Sequence, residues 1–542
     1  MDLTMQAHDD SMRHPPLLSA RKRLFMASIL FAFLFPYLTW KQAAGCALML
    51  LLFNTLILPW LDVGLGKQLP TGDGPSKNIA LSLGERVAIP HARESRVRGY
   101  LLRLPSLFPP RAAGDPSPGP RPACGIAAHP FPLGEGEDII GATPSTLTGI
   151  VLYPICVLAL IILYRNHLHI AAAAWAIMAL GDGMATVIGL RCRDNSPSPG
   201  HWRGKLAATL AWNRQKTWAG SISFVIAGTV GAYVLTRWIA PEIPPDKTLV
   251  VCVAAGLLGA VLESLPIPLD DNITVPLVVG AFMFCAYLVE RSALDSNMPY
   301  LGHRIVLAIA VNLAFALLVW ALGAASRSGA VCGFLLGTAI YLGYGYKSFL
   351  LLFAFVLLGS VATRLGYAKK AARGVAERRG GARSWREAVA NLLAAAFFAI
   401  LVITTHHEPA FLIALVAALA EAAGDTVSSE IGQWASERAY LITTFKLVRA
   451  GEDGGVSFAG TAAGLAASAI IMELGVGLRL CGPYRFAGPA IAFGAAAAGI
   501  LFDSFLGATI QRRGLVTNGM VNFAGTSLAG ALALGLALHL GL

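Results

Sequence analysis

Residues 421–432 read EAAGDTVSSEIG, and this stretch places three carboxylates inside a very apolar part of the chain. The acids are Glu421, Asp425 and Glu430, and spacings of four and five residues put them on about one half of a helix surface. An ionisable group at membrane depth costs about 2.5–3.5 kcal/mol on insertion scales, so it usually has a function. One acid alone is equally well explained by an ion pair with a lysine of a neighbouring helix. Three acids around a Gly-Asp-Thr sequence predict a functional site.

The composition around this stretch predicts an all-α, polytopic integral membrane protein. The chain has 542 residues, 56% hydrophobic and 13% charged, with a mean hydropathy of +0.62. Apolar runs recur at the length that crosses a bilayer, and they predict about 14–15 transmembrane helices in two related halves. The net charge of +11 lies in loops, which predicts contact with anionic lipid or phosphate and no nucleic-acid partner. The eight cysteines are scattered singly, which argues against a disulfide framework or a zinc site.

The predicted helices span residues 24–40, 43–62, 149–164, 168–190, 219–240, 248–265, 273–290, 304–322, 329–345, 348–367, 388–404, 409–428, 459–479, 487–508 and 520–541. Two basic loops, 190–218 and 368–387, separate some of them. Loops rich in Lys and Arg stay on the cytoplasmic side, so we expect the site loops to be cytoplasmic. The corresponding membrane is a bacterial inner membrane or its equivalent.

One segment interrupts the helices, because 13 of the 30 prolines lie in residues 66–148. Such a density excludes a continuous helix and predicts a long extramembrane loop. We therefore divide the chain into N-terminal transmembrane helices at 1–65, this proline-rich loop at 66–148, and two membrane domains at 149–298 and 299–542. The boundary between the membrane domains is placed in a loop predicted around residues 291–304.

The two membrane domains carry matching series of polar residues. Each series has an aspartate beside glycine, a turn of small residues and a further acid: Asp182, Gly220 and Glu263 in the first domain, and Asp425, Gly460 and Asp503 in the second. The first interval is 38 residues in one series and 35 in the other, and the second interval is 43 residues in both. Matched intervals of this kind indicate two copies of one fold.

Each series contains the groups that metal–phosphate chemistry needs. A carboxylate beside glycine lets the backbone approach a ligand closely and suits Mg²⁺, which uses one or two acids together with substrate phosphates. Lysines, hydroxyls and glycines suit phosphate binding. The predicted catalytic residues are Asp182, Lys216, Glu263, Asp425, Lys446 and Asp503. The predicted metal ligands are Asp182, Glu263, Glu421, Asp425 and Glu430. The predicted substrate- and nucleotide-binding residues are Asn213, Thr217, Gly220, Ser221, Asp271, Asn272, Thr426, Ser428, Ser429, Gly455, Ser457, Gly460, Thr461, Asn518 and Asn522. Taken singly, each lysine is also consistent with a lipid headgroup contact, and Asn518 with an interhelical hydrogen bond.

At these residues the sequence resembles two families. Residues 150–290 resemble the dolichol kinase and phytol kinase group of CTP-dependent membrane kinases; the matching stretches are 181–183, 213–221, 263–266 and 269–272. Residues 305–542 resemble the phytyl-phosphate kinase family, related to transmembrane protein 19; the matching stretches are 362–364, 421–432, 441–445, 455–460, 503–507, 515–518 and 521–522. The resemblance implies two successive phosphorylations with CTP as donor. The first half would convert an isoprenoid alcohol such as phytol to its monophosphate, and the second half would convert the monophosphate to the diphosphate.

Two other functions fit the same residues. A CTP-dependent lipid cytidylyltransferase uses the same combination of nucleotide, Mg²⁺ and lipid, and it differs in releasing pyrophosphate rather than CDP. A membrane transporter built from repeats also places acids at membrane depth. The hydroxyls, glycines and lysines beside the basic loops favour phosphate chemistry over transport.

Overall fold

The structure, a computed structural model, describes residues 26–57, 144–194, 208–266, 270–482 and 486–542. The predicted proline-rich loop at 66–148 lies outside these residues except at its end, where a helix already begins at Pro144. The described chain is almost entirely helical, and eleven of its helices are long and apolar enough to cross a membrane. The predicted all-α, multi-pass membrane architecture is confirmed, and every predicted membrane helix overlaps an observed one.

The helices of the first half are α1 (Met26–Tyr37), α2 (Trp40–Leu52), α3 (Pro144–Leu163), α4 (Leu168–Cys192), α5 (Trp218–Ile239), α6 (Pro245–Ser264) and α7 (Asp271–Leu288). The helices of the second half are α8 (Arg291–Ala321), α9 (Arg327–Tyr344), α10 (Tyr346–Arg364), α11 (Tyr367–Ala372), α12 (Trp385–Thr404), α13 (Glu408–Ala435), α14 (Phe458–Gly477), α15 (Ala487–Leu506) and α16 (Asn518–His539). Each half has its own apolar core: one cluster of buried residues runs from Ile29 to Met283, and the other from Cys285 to Ala537.

Helix α13 is the central helix of the second half. Of its membrane-length apolar stretch, 94% is buried, against 11% for α8. A helix that is apolar on all sides is buried on all sides, and the run 410–420 contains no polar residue. The stretch 421–432 continues this helix out of the buried core of the second half, from the buried Glu421 to the exposed Ser429.

Two helix boundaries differ from the prediction. The loop predicted around 291–304 is the beginning of α8, so the domain boundary drawn at 298/299 falls inside a helix. The first turns of α8 are polar and include an exposed ion pair of Arg291 with Asp295 at 3.7 Å, so a hydropathy pattern does not detect them. Helix α13 continues to Ala435 rather than ending at 428, because its polar residues face a cavity and do not end the helix.

A small antiparallel sheet follows α13 and was not predicted. Its strands are β1 (Arg438–Leu441), β2 (Leu447–Arg449) and β3 (Gly455–Val456), in the order β2-β1-β3. Arg438 pairs with Arg449, and Tyr440 pairs with Val456. The strands are two to four residues long, too short for an alternating pattern to show in the sequence.

In the first half, α4 and α5 cross at two glycines. The Thr217 side chain caps α5 by accepting a hydrogen bond from the Gly220 N–H at 3.1 Å. A Cβ built at Gly220 would lie 3.8 Å from the Cα of Gly189, which follows Asp182 by seven residues. The close approach of the two helices places Asp182 two turns along α4 from the capped end of α5.

The second half repeats this arrangement with α13 and α14. The Ser457 side chain caps α14 by accepting from the Gly460 N–H at 3.1 Å. A Cβ built at Gly460 would lie 3.1 Å from the Cα of Gly432, which follows Asp425 by seven residues. The same cap, glycine contact and aspartate spacing therefore occur in both halves.

Candidate active site

A polar cavity of about 250 Å³ lies in the second half, where α13, α14, α15 and α16 meet the sheet. Acids, hydroxyls and glycines dominate its lining, and ten residues predicted from the sequence belong to it: Asp425, Thr426, Ser428, Ser429, Glu430, Gly455, Ser457, Asp503, Asn518 and Asn522. A group of this composition suits a phosphorylated ligand. We call this space the polar cavity.

Two buried carboxylates with unpartnered oxygens, Glu421 and Asp503, lie close to Asp425; Asp425 and Asp503 line the cavity, and Glu421 lies next to them. Glu421 is 1% exposed, and neither of its carboxylate oxygens has a hydrogen-bond partner within the described chain. Asp503 has one such oxygen, Oδ2. The charges of Asp425 and Asp503 act on Glu421, and a Cβ built at Gly525 would touch Glu421 Oε1 and lie 3.5 Å from Asp503 Cβ. Buried acceptors that lack partners are costly, so this cluster calls for a cation or for protons.

The cluster fits a Mg²⁺ ion that is shared with a substrate. The described residues contain no ready group of three or more His, Cys, Asp or Glu ligands. Mg²⁺ does not need such a group, because it is usually bound by one or two carboxylates plus substrate phosphates. Asn522 Nδ2 donates to Asp425 Oδ2 at 3.4 Å, while Asn522 Oδ1 has no partner in the described chain. Asp425, Asp503 and the Asn522 carbonyl are thus suitable ligands.

Glu430, a predicted metal ligand, is instead bound by two cations. Its carboxylate lies 2.5 Å from Lys370 Nζ and 3.5 Å from an Arg383 nitrogen, and it accepts from Thr363 Oγ1 at 2.9 Å. The Lys370 side chain is fully buried and also donates to the Ala362 carbonyl at 3.1 Å. Arg383 is 32% exposed and lines the polar cavity. Glu430 therefore positions a buried lysine, and together with Glu377, whose carboxylate lies 3.0 Å from Arg383 Nη1, it holds an arginine at the cavity.

A glycine-rich loop between β2 and β3 forms the rim of the polar cavity. Gly451 and Gly454 have positive φ angles of 93° and 72°, and a Cβ at Gly454 would collide with the backbone of Ala508. Gln511 donates to Asp453 Oδ1 at 2.9 Å, and burial raises the pKa of Asp453. Residues 450–455 line the cavity, and a glycine-rich turn of this kind is suited to binding phosphate.

Four predicted residues of this half do not line the polar cavity: Glu421, described above, and the three that follow. Lys446 is exposed in the turn between β1 and β2. Gly460 lies at the α13–α14 crossing, where its role is close packing. Thr461 lies in the first turn of α14, beside Gly460. Arg383, which the sequence pattern did not single out, is a cation that lines this cavity, whereas Lys446 lies outside the lining.

In the first half, three of the predicted acids interact with Lys216. Its ammonium group forms an ion pair with Glu263, which is 3% exposed, and lies 3.9 Å from Asp271 Oδ2. Burial alone lowers the pKa of Lys216, but the charges of Glu263, Asp271 and Asp182 outweigh burial and raise it. Lys216 is therefore held as a cation among carboxylates at the ends of α5, α6 and α7.

The remaining predicted residues of the first half surround this cluster. Asn213 Nδ2 donates to the Ser264 carbonyl at 3.1 Å, which fixes the loop before α5 onto α6. Asn272 donates to Asp270 Oδ1 at 2.7 Å within the cap of α7. Ser221 Oγ has no partner within the described chain. Of the predicted metal ligands here, Glu263 faces Lys216, and Asp182 acts on the same lysine electrostatically.

The sequence is similar to a family of integral membrane proteins and to several named proteins. The sequence model of the family described as "Integral membrane protein DUF92" matches residues 310–536. The chloroplast protein VTE6 of Arabidopsis thaliana is 36% identical over 216 residues, which are 39% of this chain and 64% of that protein. An uncharacterized membrane protein of Synechocystis is 35% identical over 205 residues, 37% of this chain and 78% of that protein. A probable chloroplast phytol kinase of Zea mays is 27% identical over 161 residues, 29% of this chain and 49% of that protein. No solved structure matches the chain.

Proposed function

Because this chain belongs to the DUF92 family of integral membrane proteins, we propose that it is a membrane kinase acting on isoprenoid alcohols and their monophosphates. In this proposal residues 299–542 convert the monophosphate to the diphosphate, residues 149–298 phosphorylate the alcohol, and CTP donates both phosphates. The single observation that carries it is the polar cavity with its unpartnered carboxylate oxygens. The names VTE6 and phytol kinase among its relatives support a prenyl substrate, although the chain spans 64% and 49% of those two proteins.

The chemistry of the second transfer matches the charges of the polar cavity. A phosphate monoester has a second pKa near 6, so its oxygen is already an anion at neutral pH and needs no strong base. The acceptor oxygen attacks the γ-phosphorus of the nucleotide, the bond from that phosphorus to the β-phosphate oxygen breaks, and CDP leaves. The barrier is then dominated by repulsion between two highly charged groups, which the site must offset.

We assign the roles in the polar cavity accordingly. Arg383, anchored by Glu430, binds the acceptor phosphate, and the hydroxyls of Ser428 and Ser429 together with the rim loop bind the nucleotide phosphates. Asp425 and Asp503 would hold Mg²⁺, with the Asn522 carbonyl as a further ligand. When bound, that ion neutralises charge on the phosphate oxygens.

The first transfer has a different requirement, because an alcohol must lose its proton. The carboxylates around Lys216 provide a base, and Lys216 itself provides a cation for the nucleotide phosphates. We assign the base to Asp271, which is partly exposed, rather than to Glu263, whose charge is taken up by Lys216. Asp182 supplies the remaining carboxylate for Mg²⁺.

A labelling experiment tests the proposal. Purified protein with Mg²⁺ receives CTP labelled at either the α- or the γ-phosphate, with an isoprenoid alcohol or its monophosphate. The expected result is γ-label in the lipid product and release of CDP, abolished by a chelator. Transfer of α-label with release of pyrophosphate would show a cytidylyltransferase. If the activity in excess chelator equals the activity with Mg²⁺, the reaction does not depend on a metal ion.

A further inference from the structure

A second cavity, apolar and of about 120 Å³, lies beside the polar cavity. It is enclosed by α8, α9, α10 and α12, and its lining is mainly aromatic, aliphatic and glycine; representative residues are Phe315, Val319, Gly333, Phe355, Val356 and Leu392. Along α10 the lining runs from Thr363 to Leu352, eleven residues, which is about 16 Å at 1.5 Å per residue. The space is therefore long and narrow. We call it the apolar cavity.

The two cavities meet at one end. Arg383 and Thr426 line both of them, and Thr426 directly follows Asp425. The other charged residues of the apolar cavity, Arg364 and Glu387, also lie at this end, near the ends of α10 and α12. From Arg383 onward the lining is mainly apolar. Its polar side chains there are Ser360, Asn391 and the buried Asn312; the Asn391 and Asn312 amides each donate to their own helix at 2.9 Å. One continuous space thus has an anion-binding end and an apolar end.

The apolar end lies beside the lipid-facing surface of the protein. Helix α8 forms one wall and is 11% buried along its membrane-length stretch. Leu313, Leu317 and Leu318, which neighbour the lining residue Phe315, are 47%, 52% and 50% exposed. One wall of the apolar cavity is therefore a single helix whose other side is exposed.

We propose that the apolar cavity binds the isoprenyl chain of the acceptor, with its phosphate on Arg383 at the junction with the polar cavity. This inference rests on the proposed function and adds the position and orientation of the lipid substrate. The occupant is defined by charge complementarity at one end and by apolar complementarity along about 16 Å at the other. A short acceptor fills only the end near Arg383, whereas a chain of several isoprene units extends past Gly333 towards Leu352.

Gly333 provides the decisive substitution. No atom lies within 4 Å of a Cβ built there, so Gly333→Phe fills the apolar cavity without forcing the backbone apart. Gly535 on α16 is the matched control, because a Cβ there also meets no atom within 4 Å and the residue lines neither cavity. Both substitutions replace a helical glycine by the same side chain. Thermal unfolding of both variants in detergent checks that they fold.

The assay compares diphosphate formation from a single-isoprene and a four-isoprene monophosphate. We expect Gly333→Phe to lower kcat/KM at least tenfold for the long acceptor and less than twofold for the short one, with Gly535→Phe unchanged on both. Equal loss on both acceptors, or no loss on the long one, would overturn the inference. Equal loss is the result expected if the cavity instead holds a structural bilayer lipid.

A binding measurement separates this inference from the proposed function. A long-chain prenyl monophosphate carrying a photoreactive group on its terminal isoprene is cross-linked to the wild-type protein, and the labelled peptides are mapped. Labelling of α8, α9 or α10 that is lost in Gly333→Phe supports the inference. If such labelling occurs but no diphosphate forms, the proposed kinase function is contradicted while the inference stands. Labelling confined to other helices would overturn the inference even if the kinase reaction occurs.

Discussion

Replacing Asp503 by asparagine should make the protein more stable than the wild type without Mg²⁺ and should weaken the stabilisation that Mg²⁺ provides. Asp503 Oδ2 and both oxygens of Glu421 are buried without partners, and leaving such a group unsatisfied costs about 1–3 kcal/mol. Asp503→Asn removes one of these charges and supplies an N–H₂ group beside the Glu421 carboxylate. In the presence of a chelator, we expect the variant to be more stable than the wild type by about 1–3 kcal/mol.

Addition of Mg²⁺ should then favour the wild type. A ligand that binds only the folded protein stabilises it by about 2.7 kcal/mol at one hundred times its Kd, and the variant has lost a ligand for that ion. The assay is thermal unfolding in detergent with excess chelator and with MgCl₂. Asp295→Asn, which alters an exposed carboxylate on α8, is the control and should change neither curve. If the variant is less stable in chelator, or if Mg²⁺ stabilises both proteins equally, the carboxylate cluster is not a metal site.

Three further predictions concern other parts of the chain. Lys370→Met should destabilise the protein by about 3–5 kcal/mol, because it leaves the buried Glu430 carboxylate without its main partner; adding Glu430→Gln should restore part of this loss in thermal unfolding. Lys216→Met should stop monophosphate formation and leave conversion of supplied monophosphate unchanged. Since the pKa of Lys216 is raised, its stabilising ion pair persists at neutral pH and is lost as pH rises through that pKa, which pH-dependent unfolding measures. Gly454→Ala should raise KM for the nucleotide at least tenfold, because the added Cβ collides with Ala508 and the positive φ of 72° is unfavourable; an unchanged KM would remove the rim loop from the site.

The helices and the central acids were predictable because both depend on local sequence. Apolar runs of membrane length identify helices regardless of their neighbours, and acids inside such runs are rare enough to mark a site. The sequence intervals from Asp182 to Gly220 and from Asp425 to Gly460 marked two glycines that both lie at a helix crossing in the structure. These features need no knowledge of which helices touch.

The partners of the acids were not predictable, since they depend on long-range packing. Lys370 and Arg383 lie in a basic loop, where a positive charge is normally a topology signal, yet they reach Glu430 across 60 and 47 residues. Lys446 lies nearer to the site in sequence but is exposed in a turn between short strands. The apolar cavity is formed by four helices, and no single segment of the sequence contains its pattern.

The central claim is that one chain carries two separate phosphoryl-transfer sites, and Asp425→Asn tests it most directly. Asp425 lines the polar cavity of the second half, while the cluster around Lys216 in the first half contains its own acids. Loss of a group that stabilises transition-state charge commonly costs about 3 kcal/mol, or about a hundredfold in rate. The measurement is a time course of both products from an isoprenoid alcohol with CTP and Mg²⁺. The account predicts that the monophosphate accumulates at the wild-type rate while diphosphate formation falls about a hundredfold. Simultaneous loss of both products, or unchanged diphosphate formation, would contradict it.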